Sequence, residues 1–174
     1  RWWKLREIFM PSSYSFDVVS EFDQQELVNA IDQLRREVDQ RYDLKDSKTK
    51  IDIQENQLSI VSLSDMTIQS VKDILLQKAT KRNLSLKIFD FQKIETIGGN
   101  MVMQNVLLKK GLSQEIAKKL SKLVRDNLKK VSVSIQGESL RITGKNKDDL
   151  QSAINLIKKQ EDDLDVALQF ENYR

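Results

Sequence analysis

Between Lys109 and Lys147 the 174-residue chain carries eleven lysines and arginines against three carboxylates, Glu115, Asp126 and Glu138. That is a local charge of +8 in a chain whose formal net charge is only +3. Lysine offers a compact point charge and arginine a planar fork, the two side-chain forms that hold phosphate groups. The chemistry indicated is therefore the binding of an anionic partner. On a helix predicted to begin at Ser113, the positions Lys118, Lys122, Arg125 and Lys129 share the side opposite the apolar stripe. Arg141 alternates with Leu140 and Ile142, which places it on the outer face of a strand, with Ser132, Ser134 and Gln136 pointing the same way on its neighbour. Helix and open sheet face lie on opposite sides of such a layer, so the cations can form two patches. A solvated, lysine-rich helix face is the alternative reading.

Other reaction chemistries are removed by composition. The chain has no cysteine and no histidine, which excludes disulfides, thiol nucleophiles, Ser-His-Asp triads and the usual zinc ligands. Asp148-Asp149 and Asp162-Asp163 are adjacent pairs that diverge in a regular helix, and the first pair suits the dipole of an opening turn. Gly144-Lys145 is followed by Asn146 where a phosphate loop needs Ser or Thr, and Gly137 stands at the wrong spacing. Gly98-Gly99-Asn100 reads as a loop between strands in preference to an anion nest. The expectation is a non-enzymatic protein with no cofactor and no metal. No apolar run approaches the ~20 residues of a membrane span. Asp17, on the opposite parity to Phe16 and Val18, is free to face solvent or a ligand.

The elements that must position these residues repeat. Residues 15–21, "SFDVVSE", alternate as a strand, and Tyr14 and Phe16 share the core parity of Val18. Asp23 caps a helix with Glu26 at the capping-box spacing, and Leu27, Ile31, Leu34 and Val38 form its apolar face. "KIDIQ" and "LSIVSL" form a hairpin, followed by a helix through Ile68, Val71 and Leu75 and by the strand "LSLKIFDFQ". The order then recurs: strand "NMVMQNVLLKK", a helix through Ile116, Leu120 and Val124, hairpin "VSVSIQ"/"LRITG", a helix opened by Asn146, and strand "VALQFENY". The Ile-Gln pairs of the two hairpins, Ile53-Gln54 and Ile135-Gln136, match in position. The pattern predicts an α+β fold of two ferredoxin-like βαββαβ units, antiparallel sheets each covered by two helices. Their expected bounds are 14–94 and 95–174, with exchange of a first or middle strand between units left open, behind a disordered tail over residues 1–13. RNA-recognition motifs share this topology, but "LSIVSL" and "LRITG" lack the aromatics on which such modules stack bases.

The blocks "SFDVVSE", "RYDLK", "KRNLSLKIFD", "IAKKLSKLVRD", "IQGESLRITGKNKDDLQ" and "LQFENYR", in this order, resemble the YajQ family in its cyanobacterial form. The resemblance covers residues 15–174. It implies a cytoplasmic bacterial nucleotide-binding protein, in a family linked to cyclic di-GMP, GTP and RNA, with no shared catalytic motif. It points to Arg41, Tyr42, Lys45, Lys118, Lys119, Gln136, Arg141, Lys145, Asn172 and Arg174 as ligand-binding residues. The expected function is a guanine-nucleotide effector: a cleft between the units would take two phosphates, and Tyr42 or Tyr173 would stack on a base. The alternatives are an RNA-binding accessory protein using segment 109–147 and an adaptor for a regulatory protein without a nucleotide.

Overall fold

A computed structural model describes residues 13–174. The tail expected over residues 1–13 lies outside the described residues except for Ser13. The elements run β1 (Tyr14–Val19), α1 (Gln24–Gln40), β2 (Lys50–Ile53), β3 (Gln57–Ser62), α2 (Asp65–Lys81), a 3-10 turn (Leu86–Ile88), β4 (Phe89–Phe91), β5 (Glu95–Ile97) and β6 (Met101–Leu108). They continue through α3 (Gln114–Asn127), β7 (Val131–Gln136), β8 (Ser139–Gly144), α4 (Lys147–Lys158), α5 (Glu161–Leu164) and β9 (Gln169–Glu171).

The helices start where side chains can satisfy their first N–H groups. Asp23 accepts from the amides of Gln25 and Glu26 at 2.9 and 3.2 Å. Glu26 does not close the expected capping box; it pairs instead with Arg82 at 3.3 Å. Ser64 and Thr67 form a full capping box on α2, and Ser113 accepts from Ile116 N–H at 3.2 Å. Asn146 opens α4 without capping it through its side chain.

The sheets are two ferredoxin-like layers, but they are not built from the contiguous halves 14–94 and 95–174. One sheet has the order β7-β8-β1-β9 and the other β2-β3-β6-β4, with β5 pairing along β6. The described residues accordingly divide into a C-terminal unit, made of residues 13–21 with Gly111–Arg174, and a central unit, Phe22–Lys110. The C-terminal unit runs β1-α3-β7-β8-α4-α5-β9, its first strand separated from its first helix by the whole central unit, which is itself contiguous and runs α1-β2-β3-α2-β4-β5-β6. All pairings are antiparallel, as a split βαβ arrangement requires. The physical reason is that β1 and β6 both alternate correctly for a half-buried strand, so local pattern does not distinguish the two sheets.

In the C-terminal unit Phe16 and Val18 of β1, with Leu140 and Ile142 of β8, are fully buried against Leu120, Val124, Ala153 and Ile157. The central unit buries Leu27, Ile31, Leu34, Leu58, Ile60, Ile68, Leu75 and Val106. Two local expectations change. "LSLKIFDFQ" is a 3-10 turn followed by a three-residue strand. "VALQFENY" contributes only β9, because α5 and the buried Val166-Ala167-Leu168 precede it. Gly98-Gly99-Asn100 is the tip of the β5–β6 hairpin, with Gly99 and Asn100 at positive φ.

Because the chain has no cysteine, the placement of β1 can be tested by crosslinking. Ser15 and Thr143 are opposite each other across β1 and β8, a spacing that fits a disulfide. Ser15→Cys with Thr143→Cys is expected to form one intramolecular bond on mild oxidation, seen by mass after alkylation. A persistently reduced pair in the folded protein would refute this register.

Candidate functional site

The predicted ligand residues fall in several places. Arg41, Tyr42 and Lys45 lie after α1 in the central unit; the others belong to the C-terminal unit. Arg41 grips Asp43 with two bonds of 2.9 Å and pairs with Glu37 at 3.6 Å. The Asp43 carboxyl is held below its ordinary range mainly by that Arg41 hydrogen bond. Tyr42 is 90% exposed, with Lys45 Nζ 5.3 Å from its ring centre. Lys118 and Lys119 are exposed on α3, Lys119 pairing with Glu115 at 3.2 Å. Gln136 is exposed at the end of β7, its amide donating to Ser134 Oγ at 3.2 Å.

On the sheet face away from the helices, Arg141 meets Asp17, its register partner. Arg141 Nε donates to Asp17 Oδ1 at 2.9 Å and Nη2 to Oδ2 at 3.4 Å, while Asn172 Nδ2 donates to Oδ2 at 2.9 Å. Asp17 is buried. The Arg141 hydrogen bond is the main cause that holds its carboxyl below the ordinary aspartate range; burial opposes it, and Asn172 and the Arg174 charge assist. Arg174 also ties down the chain end, exchanging backbone bonds of 3.2 and 3.0 Å with Ser15. Both Arg41 and Arg141 thus direct their forks at the chain's own carboxylates, and a phosphate would have to displace Asp43 or Asp17.

Two concavities flank the first turn of α4, both within the C-terminal unit. The larger, about 510 Å³, has Lys130 and Lys145 as cations, Ser132 and Thr143 as hydroxyls, and Asn146 and Asp149 as amide and carboxylate. The smaller, about 180 Å³, is lined by Tyr14, Tyr173, Lys147, Gln151 and Arg174 over Leu150 and Ile154. Lys147 Nζ stands 5.2 Å from the Tyr14 ring centre, and the Tyr173 ring is 6.0 Å from that of Phe16. Tyr14, expected in the core, is 39% exposed because it sits at the open end of β1. Gly144 lets β8 end close against α4: a Cβ there would come within 3.3 Å of Leu150 and Val131 side chains.

The duplication sets this region apart. The hairpin offset that aligns Ile53 with Ile135 places Ser62 at Gly144 and Ser64 at Asn146. In the central unit that corner is filled by linked hydroxyls: Ser47 to Thr49 at 2.6 Å, Thr49 to Ser62 at 3.0 Å, Ser62 to Thr67 at 2.6 Å. In the C-terminal unit the described residues leave the same corner open, and cations line it. Of the residues expected to touch a ligand, this corner brings together Lys145, Arg174 and the stacking candidate Tyr173. Lys130, Ser132, Thr143, Asn146, Lys147, Asp149 and Tyr14 were absent from the expected set. The signal that could have found them is Asn146, a helix opener whose counterpart Ser64 completes a capping box.

A family model described as "Nucleotide-binding protein YajQ-like" matches residues 14–174. The chain belongs to the YajQ family. Among YajQ relatives, a nucleotide-binding protein of Prochlorococcus marinus strain NATL1A is 90% identical over 165 residues, covering 95% of this chain and all of that protein. One from Synechococcus strain CC9605 is 72% identical, and another from Synechococcus strain JA-3-3Ab 58%, each with the same coverage. Among the described residues no helix is long and apolar enough to cross a membrane.

The Asp17 cluster gives a pH signature. Its folded-state pKa lies below the unfolded value near 3.9. Its contribution is therefore complete above about pH 4 and is lost as pH falls through the folded value. Asp17→Asn is expected to cost about 1–3 kcal/mol at neutral pH, and the gap to the parent should narrow as pH drops below 4 in urea titrations. A constant gap across that range would show that the carboxylate charge contributes nothing.

Proposed function

We propose that the protein is a non-enzymatic binding protein for a guanine nucleotide, with cyclic di-GMP as the leading ligand and GTP next, and that the corner at the start of α4 receives it. The observation that carries this reading is the cavity of about 510 Å³ lined by Lys130, Lys145, Ser132 and Thr143, next to a smaller aromatic one. Its volume lies in the ~300–1,000 Å³ range of ligand pockets. Lys130 and Lys145 would neutralise phosphate charge, with hydroxyl donors beside them. Tyr173 or Tyr14 offers a face for a base, and Lys147 and Arg174 add cations close to it. The Asp149 carboxylate is an acceptor suited to guanine's adjacent N–H donors, which adenine lacks. The names of the relatives support the nucleotide class, and the corner supports a site for it.

Of the remaining expected residues, Arg141 and Asn172 would act through Asp17 and the chain end, Gln136 lies at the other end of β7, and Arg41, Tyr42 and Lys45 belong to the central unit. A second reading, RNA binding, is favoured by one observation: Lys118 and Lys122 are exposed on α3 with no ion pair among the described residues.

The test is fluorescence anisotropy with labelled cyclic di-GMP at two salt concentrations, with unlabelled GTP and single-stranded RNA as competitors. Saturable binding displaced by guanine nucleotides is expected. Lys145→Ala and Tyr173→Ala should each weaken it by about tenfold or more, about 1.4 kcal/mol, while Lys118→Ala leaves it unchanged. No binding sinks the proposal. Displacement by RNA that vanishes with salt and depends on Lys118 establishes the polyanion reading instead.

A further inference from the structure

The two sheets end in equivalent edge strands, β2 and β7, and the chain treats them differently. In the central unit Gln54 N–H bonds Gln57 O across the hairpin at 2.8 Å. Alternation along an antiparallel ladder then turns the backbone groups of Ile51 and Ile53 outward. The outward carbonyl of Ile51 is covered: Arg35 donates to it through Nε at 3.1 Å and again through Nη2. Lys50 and Asp52 place charges on the same edge. Such charges and covers are how natural sheets block a further strand.

Among the described residues the C-terminal unit lacks both guards. The two-residue turn Gly137-Glu138, with Gly137 at positive φ, makes Gln136 and Ser139 the closing pair of β7 and β8. Ser132 and Ser134 therefore bond inward to β8, while Val131, Val133 and Ile135 present N–H and C=O to the open edge. The helix offset that aligns the N-caps Asp23 and Ser113 places Arg125 at Arg35. Arg125 does not cover β7; its Nε donates to Ser121 O in its own helix at 3.3 Å. The strand "VSVSIQ" contains no charge and no proline, and Ile135 is 48% exposed.

We propose that β7 is a docking edge for a second copy of this chain, pairing antiparallel with the partner's β7 about a two-fold axis. The strand suits itself. With Ser134 on the axis, Val133 lies opposite the second copy's Ile135 and Ser132 opposite its Gln136, so apolar meets apolar on one face and polar meets polar on the other. An isologous contact of this kind closes after two chains and joins two four-stranded sheets into one. One strand pair buries little area, so the dimer is weak and concentration-dependent.

Sedimentation of the full chain across the micromolar range tests this. A monomer–dimer equilibrium is expected. Ile135→Lys, a charge on the exposed edge, should weaken it by about tenfold or more. Val133→Pro removes an outward N–H and leaves the bonds to β8 in place; it should act likewise, with folding checked by circular dichroism. A parent chain that stays monomeric throughout, an open-ended assembly, or a dimer unchanged in well-folded Ile135→Lys and Val133→Pro overturns the proposal.

Discussion

The ladder that β1 forms with β8 and β9 is the constraint on which the C-terminal unit depends. β1 is an interior strand of that sheet, so its two faces are assigned at once. Phe16 and Val18 go into the core, and Asp17 goes to the other face, where Arg141 and Asn172 hold it. The partners of Asp17 are 124 and 155 residues away, so this pairing exists only once the chain's ends have met. The backbone exchange between Ser15 and Arg174 continues the same closure. Tyr14, Tyr173 and Arg174 line the small concavity because that closure brings them to one corner.

Duplication followed by divergence accounts for much of what is distinctive in the two units. The corner after the hairpin is filled by a hydroxyl chain in the central unit, where Ser62, Ser64 and Thr67 satisfy one another. In the C-terminal unit glycine, lysine and asparagine stand near the same places, and the corner opens into a cationic cavity. The edge strands diverged in parallel fashion. The same scaffold thus carries one unit with a hydroxyl-filled corner and a guarded edge, and one in which, among the described residues, the corner is a cavity and the edge is uncovered. Buried polar groups must find partners, and replacing Ser62 by the equivalent Gly144 removes the hydroxyl that would otherwise link that corner.

Charge density alone was a poor guide to the candidate site. The cluster between Lys109 and Lys147 is real, but its members serve different surroundings. Lys119 pairs within α3, Arg141 with Asp17, and Arg125 with its own helix carbonyl. Lys130 and Lys145 line the larger cavity and Lys147 the smaller. Arginine forks bind carboxylates as readily as phosphates, so a sequence that supplies both cannot reveal which arginines are already engaged. Tyr42 and Tyr173 read alike as exposed aromatics, yet only Tyr173 stands beside a concavity with cations.

Local physics was legible in the sequence by itself: four principal helices, two hairpins and the inward parity of Phe16, Val18, Leu140 and Ile142 follow from periodicities of 3.6 and 2. Phe16, Leu58, Leu120 and Ile142 lie in the core, as alternation and helical spacing require. The family too was carried in its blocks. What only the tertiary structure decided is which sheet β1 and β6 enter, where Arg41 and Arg141 direct their forks, and which copy of the repeated corner stays open. These are choices among partners distant in sequence but equal in local pattern. They are settled by long-range hydrogen bonding and burial, which no window of neighbouring residues contains.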